Sequence, residues 1–110
     1  MHSLPLFLRV SGRKVVLIGD GDMAEAKARL WRRAGAVLVD EDDADDAAIA
    51  IIALDGDAAD AAAERMRGKG LLINVVDRPD LCDFTTPAIV ERDPVLIAIA
   101  TGGASAGLAK

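Results

Sequence analysis

The chain has 110 residues and a net charge of −5, with 18 acidic and 13 basic side chains. This length predicts a small fold that buries somewhat under ~70% of its extended surface. The acidic balance argues against nucleic acid or an anionic membrane as partner, and no apolar run approaches the ~18 residues of a membrane span. The lone cysteine, Cys82, cannot form an internal disulfide, so we expect a cytoplasmic protein.

The first predicted element carries a glycine-rich turn. An apolar strand over residues 14–18 is followed by a turn and a helix, in the pattern that binds the pyrophosphate of a dinucleotide. Gly19 permits the turn, Gly21 lets the backbone approach the phosphates, and Ala24 allows close packing of helix on strand. The candidate cofactor-binding residues of this turn are Gly19, Asp20, Gly21, Asp22 and Met23.

The following elements alternate between strand and helix, which predicts a mostly parallel sheet with helices on both faces. Only about eight residues separate the second and third strands, fewer than a helical crossover requires. We therefore expect these two strands to flank the first, joined by an irregular acidic return. The predicted strands cover residues 14–18, 36–40, 48–54 and 71–76, and the predicted helices cover residues 22–34 and 57–67.

The pattern changes after the fourth strand. Two strand-like runs, 87–92 and 95–100, are separated by Asp93-Pro94 and predict a β-hairpin, closed by Gly102-Gly103. Residues 104–110 have the pattern of the first turns of a helix. We accordingly divide the chain into a Rossmann-like, NAD-binding domain over residues 1–80 and a hairpin with the start of a dimerisation region over 81–110.

Acidic residues follow the predicted strands at the edge where the glycine turn lies. Asp77 directly follows the fourth strand, so the turn and this carboxylate are expected to open onto one crevice. As an alternative, Asp77 caps the turn before Arg78. An acidic residue about 20 positions after the first glycine is expected to bind the ribose of the cofactor and to favour NAD over NADP. Asp40 has this spacing, with Glu41 as a near substitute, and Asp55 either borders the cofactor or begins the next helix.

Several segments together resemble the dehydrogenase and chelatase module of siroheme synthase, the precorrin-2 dehydrogenase family. They occur in the family's order and cover most of the chain, most densely from residue 71 onward. The segments are LPLF (4–7), GDGDMAEAKARL (19–30), NVVD (74–77), CDF (82–84), PAIV (87–90) and TGG (101–103).

The resemblance implies oxidation of precorrin-2, a tetrapyrrole, to sirohydrochlorin with NAD as cofactor, in a homodimer. Many members also insert ferrous iron, which would then be a second substrate. By resemblance, Asp77 is the catalytic acid or base, Asp22 and Met23 contact the dinucleotide, and Thr101 is a small hydroxyl residue near the active site. No metal-binding set of residues is predicted, since the only histidine is His2.

The sequence departs from the family pattern at the cofactor turn and in the sheet. Asp20 stands where the family usually has glycine, and an acidic stretch over residues 40–46 replaces a helix and an edge strand. The family's C-terminal helical region is also missing after Lys110. These departures leave open a catalytically weak dinucleotide-binding or assembly module as the alternative function. An unrelated NAD-sensing domain would use only the glycine turn.

Overall fold

A computed structural model describes residues 1–100 of the chain. Gly102-Gly103 and the predicted helix over 104–110 lie outside the described residues, as does Thr101. The chain divides into two compact units. One comprises residues 8–85, and the other comprises residues 1–7 together with the chain from residue 86 onward.

The larger unit is a four-stranded parallel sheet with one helix on each face. This confirms the predicted Rossmann-like class, including the shortened edge and the position of the first strand between the second and third. The strand order is β2-β1-β3-β4. The elements are β1 (Lys14–Gly19), α1 (Gly21–Arg33), β2 (Val37–Val39), β3 (Ile49–Ala53), α2 (Gly56–Gly68) and β4 (Leu72–Val75).

Alternate side chains of the buried strands supply the two halves of the core. β1 to β2 and β3 to β4 step in opposite directions across the sheet, so right-handed crossovers place α1 and α2 on opposite faces. On one face Val15 and Ile51 pack with Trp31 of α1. On the other, Val16 and Ile52 pack with residues of α2, namely Ala59, Ala62, Ala63 and Met66. Both faces are covered, as continuous apolar strands require.

The connection from β2 to β3 is the predicted acidic return. It begins with a short 3₁₀ turn, Glu41–Asp43, and then buries Ala44 in the core on the α2 face. Ion pairs tie this 3₁₀ turn to β1 and to α2. Lys14 donates to Asp43 at 2.8 Å, and Arg65 of α2 pairs with Glu41. The return thus contributes to the core on the α2 face.

The smaller unit contains the predicted hairpin. β5 (Ala88–Arg92) and β6 (Val95–Ile99) pair antiparallel, with Arg92 opposite Val95. Every residue of both strands is exposed, including apolar side chains on each strand. Within residues 1–100, no helix is long and apolar enough to cross a membrane.

Candidate functional site

A cleft of about 180 Å³ lies at the carboxyl ends of β1, β3 and β4. The glycine turn forms one side and the segment after β4 forms another, so the structure places the turn and Asp77 in the same cleft. The lining residues are Asp20, Asp22, Met23, Ala53, Leu54, Asp55, Val76 and Asp77. Open parallel sheets bind their ligands at this end of the strands.

The two glycines of the turn are required for different reasons. Gly19 has a φ of +120°, and a Cβ placed there would lie 2.2 Å from the carbonyl oxygen of Ala53. It therefore allows β1 to lie close to β3. Gly21 has a φ of +88°, and a Cβ there would meet nothing within 4 Å. The space beside Gly21, at the start of α1, is open to a phosphate that the unpaired helix N–H groups would bind.

The carboxylates of the cleft oppose that attraction. Asp20 is exposed immediately before α1, and its side chain makes no capping bond to the helix. Asp22, Asp55 and Asp77 line the same cleft and are also exposed. The backbone of the turn therefore fits a pyrophosphate, whereas the acidic side chains around it lower the affinity for any anion.

Asp77 occupies an unusual backbone conformation. Its φ is 62°, in the left-handed region, and the turn is closed by the Arg78 N–H, which donates to the Val75 carbonyl at 3.1 Å. Within residues 1–100 the Asp77 carboxylate accepts no hydrogen bond. The carboxylate is exposed in the cleft and does not close the turn, in contrast to the capping alternative.

The two predicted ribose ligands lie outside the lining of this cleft. The Asp40 carboxylate accepts a hydrogen bond from the Asp42 N–H at 3.1 Å and starts the 3₁₀ turn. Glu41 binds Arg65 through both carboxylate oxygens, and the hydrogen bond from Arg65 lowers the pKa of Glu41. Asp55 does line the cleft, and although it precedes α2 its side chain does not cap that helix.

Lys27 is a cation that interacts electrostatically with Asp77 and that the sequence analysis missed, although it is not among the residues that line the cleft. It lies on α1 one turn beyond Met23 and is partly buried. Burial lowers the pKa of the Lys27 ammonium, while Cys82 and Asp77 act to raise it. A cation thus lies within electrostatic reach of Asp77. The sequence feature that could have identified Lys27 is a lysine on the otherwise apolar side of an amphipathic helix.

A larger cavity, of about 270 Å³, lies at the opposite edge of the sheet, at the amino ends of β1 and β3. It lies at the amino ends of the strands and contains no helix start among its lining residues, so size alone does not make it the better candidate. The residues that line it are Val10, Gly12, Arg13, Lys14, Val15, Asp46, Ala48 and Ile49. In the part of the chain that the structure describes, no cluster of three or more His, Cys, Asp or Glu residues is arranged to hold a metal ion.

The fold and the cleft together define a dinucleotide-binding α/β domain. Residues 31–88 match the family described as "Putative NAD(P)-binding". The chain belongs to this NAD(P)-binding family, which confirms the predicted class of cofactor.

The predicted resemblance to siroheme synthase is also confirmed. The chain is 36% identical over 137 aligned residues to the siroheme synthase of Azotobacter vinelandii and 35% identical to that of Methylococcus capsulatus. All of this chain is aligned, but it spans only 30% and 29% of those proteins. Because the alignment is longer than the 110-residue chain, these relatives carry residues that it lacks.

The solved structure of "SirC, precorrin-2 dehydrogenase" has the same fold. Its TM-score to this chain is 0.73, and the match covers 97% of this chain and 66% of that one. The sequences are 19% identical, so the likeness concerns the architecture.

Proposed function

We propose that this chain is an NAD-dependent dehydrogenase that oxidises precorrin-2 to sirohydrochlorin in siroheme biosynthesis. The observation that carries the proposal is the shared cleft, which the glycine turn and Asp77 both line. Within residues 1–100 the Asp77 carboxylate accepts no hydrogen bond. The names of the relatives supply the substrate class, a tetrapyrrole.

The residues proposed to act at this site have separate tasks. Gly21 and the first N–H groups of α1 hold the pyrophosphate, and Met23, 48% exposed, offers an apolar surface to the cofactor. Bound NAD⁺ supplies the hydride acceptor. The Asp77 carboxylate takes the proton that the macrocycle loses together with the hydride, so the products are sirohydrochlorin, NADH and one proton. Thr101 is proposed as the hydroxyl group near this site.

We favour NAD over NADP because the proposed ribose ligands are acidic. Carboxylates at Asp40 and Glu41 would repel the additional phosphate, which NADP carries on the ribose. Asp40 and Glu41 remain the proposed ribose ligands, although binding would require each to exchange its present partner. The lone thiol supports our proposal that the reaction takes place in the cytoplasm.

Insertion of ferrous iron is a second proposed activity of the same cleft. Asp77 would accept the pyrrole N–H protons as the metal enters. The macrocycle itself would hold the iron, as a substrate.

The protein is further proposed to act as a homodimer, with residues 81–110 contributing to the interface. Apolar side chains are exposed on both strands of the hairpin, where a second copy would cover them. They include Ile89, Val90, Val95, Leu96, Ile97 and Ile99.

The test is NADH formation by the purified chain supplied with precorrin-2 and NAD⁺. Asp77→Ala should lower kcat by about 10²–10⁴, the usual contribution of a general base, with little change in NAD affinity. Asp57→Ala, which removes an exposed carboxylate in the first turn of α2, is the matched control and should retain the wild-type rate. A wild-type rate in Asp77→Ala would contradict the assignment.

The acidic cleft favours one alternative, a dinucleotide-binding module with weak catalysis. Asp20 is exposed beside the site proposed for the pyrophosphate and reduces the attraction of the helix start. This alternative predicts binding of NAD without turnover of precorrin-2, unchanged by Asp77→Ala. The same assay, run beside an NAD titration, distinguishes the two functions.

A further inference from the structure

Arg78, the residue after Asp77, ties the turn to α2. Its Nη2 donates to Asp60 Oδ1 at 3.0 Å and to Asp80 Oδ2 at 3.1 Å. Its Nε donates to Asp80 Oδ1 at 3.2 Å, and its Nη1 lies 3.5 Å from Asp60 Oδ2. Asp60 belongs to α2 and Asp80 to the 3₁₀ turn Pro79–Leu81, so one guanidinium joins two elements.

The turn that Arg78 anchors contains a backbone conformation that needs support. Asp77 is the third residue of the Val75–Arg78 turn, and its φ of 62° is one that glycine adopts more easily. Non-glycine residues in this region persist when the surroundings hold them there, and such residues cluster at active sites. Since the Asp77 carboxylate makes no hydrogen bond within residues 1–100, the support comes from its neighbours in the chain.

Two further side chains anchor the segment. The Cys82 thiol lies 3.2 Å from the Val75 N and 3.3 Å from the Arg78 carbonyl oxygen, so it bridges the two ends of the turn. Arg67 of α2 donates to the Leu81 carbonyl at 3.0 Å and fixes the far end of the segment. Arg78 is the side chain adjacent to Asp77 that binds to α2, and α2 packs directly on β3 and β4.

We propose that Arg78 is a positioning residue, which holds Asp77 in its left-handed conformation so that the carboxylate faces the cofactor cleft. The proposal rests on the proposed role of Asp77 as the base. It also assigns Asp60 and Asp80 as the groups through which Arg78 acts. Planar guanidinium geometry is needed, because a lysine would reach these two carboxylates only as a point charge.

The ion pairs of Arg78 keep this arrangement charged near neutral pH. The hydrogen bonds with Asp80 and then Asp60 raise the pKa of Arg78, and the same contact lowers the pKa of Asp80. With Nε, Nη1 and Nη2 all directed at aspartates of its own chain, Arg78 is committed to the turn and not to the carboxylates of a substrate.

The test compares Arg78→Gln with Lys14→Gln in the full chain. Both side chains pair with aspartates, but Lys14 binds Asp43 at the amino end of β1, away from Asp77. We expect Arg78→Gln to lower kcat for precorrin-2 oxidation by roughly tenfold to a hundredfold, as expected for a misplaced catalytic group, with the KM for NAD unchanged. Arg78→Lys should recover part of the rate, and Lys14→Gln should leave kcat at the wild-type value.

Amide hydrogen exchange gives a readout that does not need activity. The residue 78 N–H, bonded to the Val75 carbonyl, should exchange faster in Arg78→Gln, while the Asp83 N–H, bonded to the Ile73 carbonyl at 2.8 Å, should not change. Asp60→Asn should likewise lower kcat and speed exchange of the residue 78 N–H. Because both substitutions break the same ion pair, kcat of the double variant should be little below that of the more impaired single variant.

Two different results would overturn two different claims. Equal kcat values in Arg78→Gln and Lys14→Gln, in an active wild-type chain, would overturn the positioning role and leave the dehydrogenase proposal intact. A wild-type chain without precorrin-2 oxidation would overturn the proposed function. In that case unchanged exchange at residue 78 would also overturn the structural role of Arg78, and faster exchange would support it.

Discussion

Substitutions at Gly12 and Gly21 distinguish the proposed phosphate-binding role of the glycine turn from the backbone strain that a side chain at a positive φ creates. Both have a positive φ, +74° and +88°, and a Cβ at either position would meet nothing within 4 Å. Gly12 lies before β1, at the opposite edge of the sheet from the cleft. Alanine at either position should therefore cost similar folding free energy, while only the Cβ at residue 21 would enter the space proposed for the pyrophosphate.

We predict that Gly12→Ala and Gly21→Ala each lower the free energy of unfolding by about 1–2 kcal/mol, the cost of a left-handed residue. Gly21→Ala should in addition weaken NAD binding at least about tenfold, or ~1.4 kcal/mol. Urea unfolding and calorimetric titration measure the two effects. Equal loss of NAD affinity in both variants would show that the turn does not bind phosphate.

Residue spacing predicted the turn and the position of Asp77, because both depend on where strands end. The same spacing did not predict the left-handed φ of Asp77 or the contacts of Arg78. Those depend on Asp60, 18 positions earlier in the chain, which α2 brings alongside.

The elements followed from the sequence with errors only at their ends. α1, predicted over residues 22–34, begins at Gly21 and ends at Arg33, with Gly35 at a φ of +92° just after it. The short spacing between β2 and β3 predicted the strand order, since chain length limits which strands can be neighbours. The internal packing of the acidic return was not predictable, because its ion pairs join it to β1 and α2.

The pair between Glu41 and Arg65 gives the acidic return a pH dependence. Arg65 lowers the pKa of Glu41 below its ordinary value of 4.5 in the folded chain. A carboxyl group with a lowered folded pKa contributes stability that is present above its unfolded pKa and lost as the pH falls through the folded pKa.

Arg65→Gln should therefore destabilise the chain at neutral pH, and its difference from wild type should shrink below pH 4.5. Urea unfolding at neutral pH and at about pH 3 measures this difference. Arg29→Gln, a change at an exposed position on α1, controls for loss of a positive charge. A difference that is the same at both pH values would show that the Glu41 charge contributes nothing.

In the described residues of a single chain, the hairpin of β5 and β6 leaves apolar side chains exposed. Ile97 is 46% exposed on β6, and Val37 is similarly exposed, at 48%, on the edge strand β2. If the hairpin forms the dimer interface, a lysine at residue 97 should disrupt association, because burying an unpaired ammonium is costly. Val37→Lys is the matched control.

Sedimentation equilibrium should accordingly find a dimer for the wild-type chain and for Val37→Lys, and a monomer for Ile97→Lys. A wild-type monomer, or a dimer disrupted by Val37→Lys alone, would contradict the proposed interface. An aromatic content of 3% favours a thin core that a partner subunit completes, but composition does not indicate which surface the partner covers.

We propose that one cleft, at the carboxyl ends of the strands, receives the dinucleotide beside Asp77. An NMR titration of the isotope-labelled chain with NAD⁺ tests it directly, because two cavities lie at opposite edges of the sheet. We predict that the amide shifts concentrate at Gly19, Gly21, Met23, Asp55 and Asp77. Shifts confined to Gly12, Arg13 and Lys14 at the other edge, or no shifts at saturating NAD⁺, would contradict it.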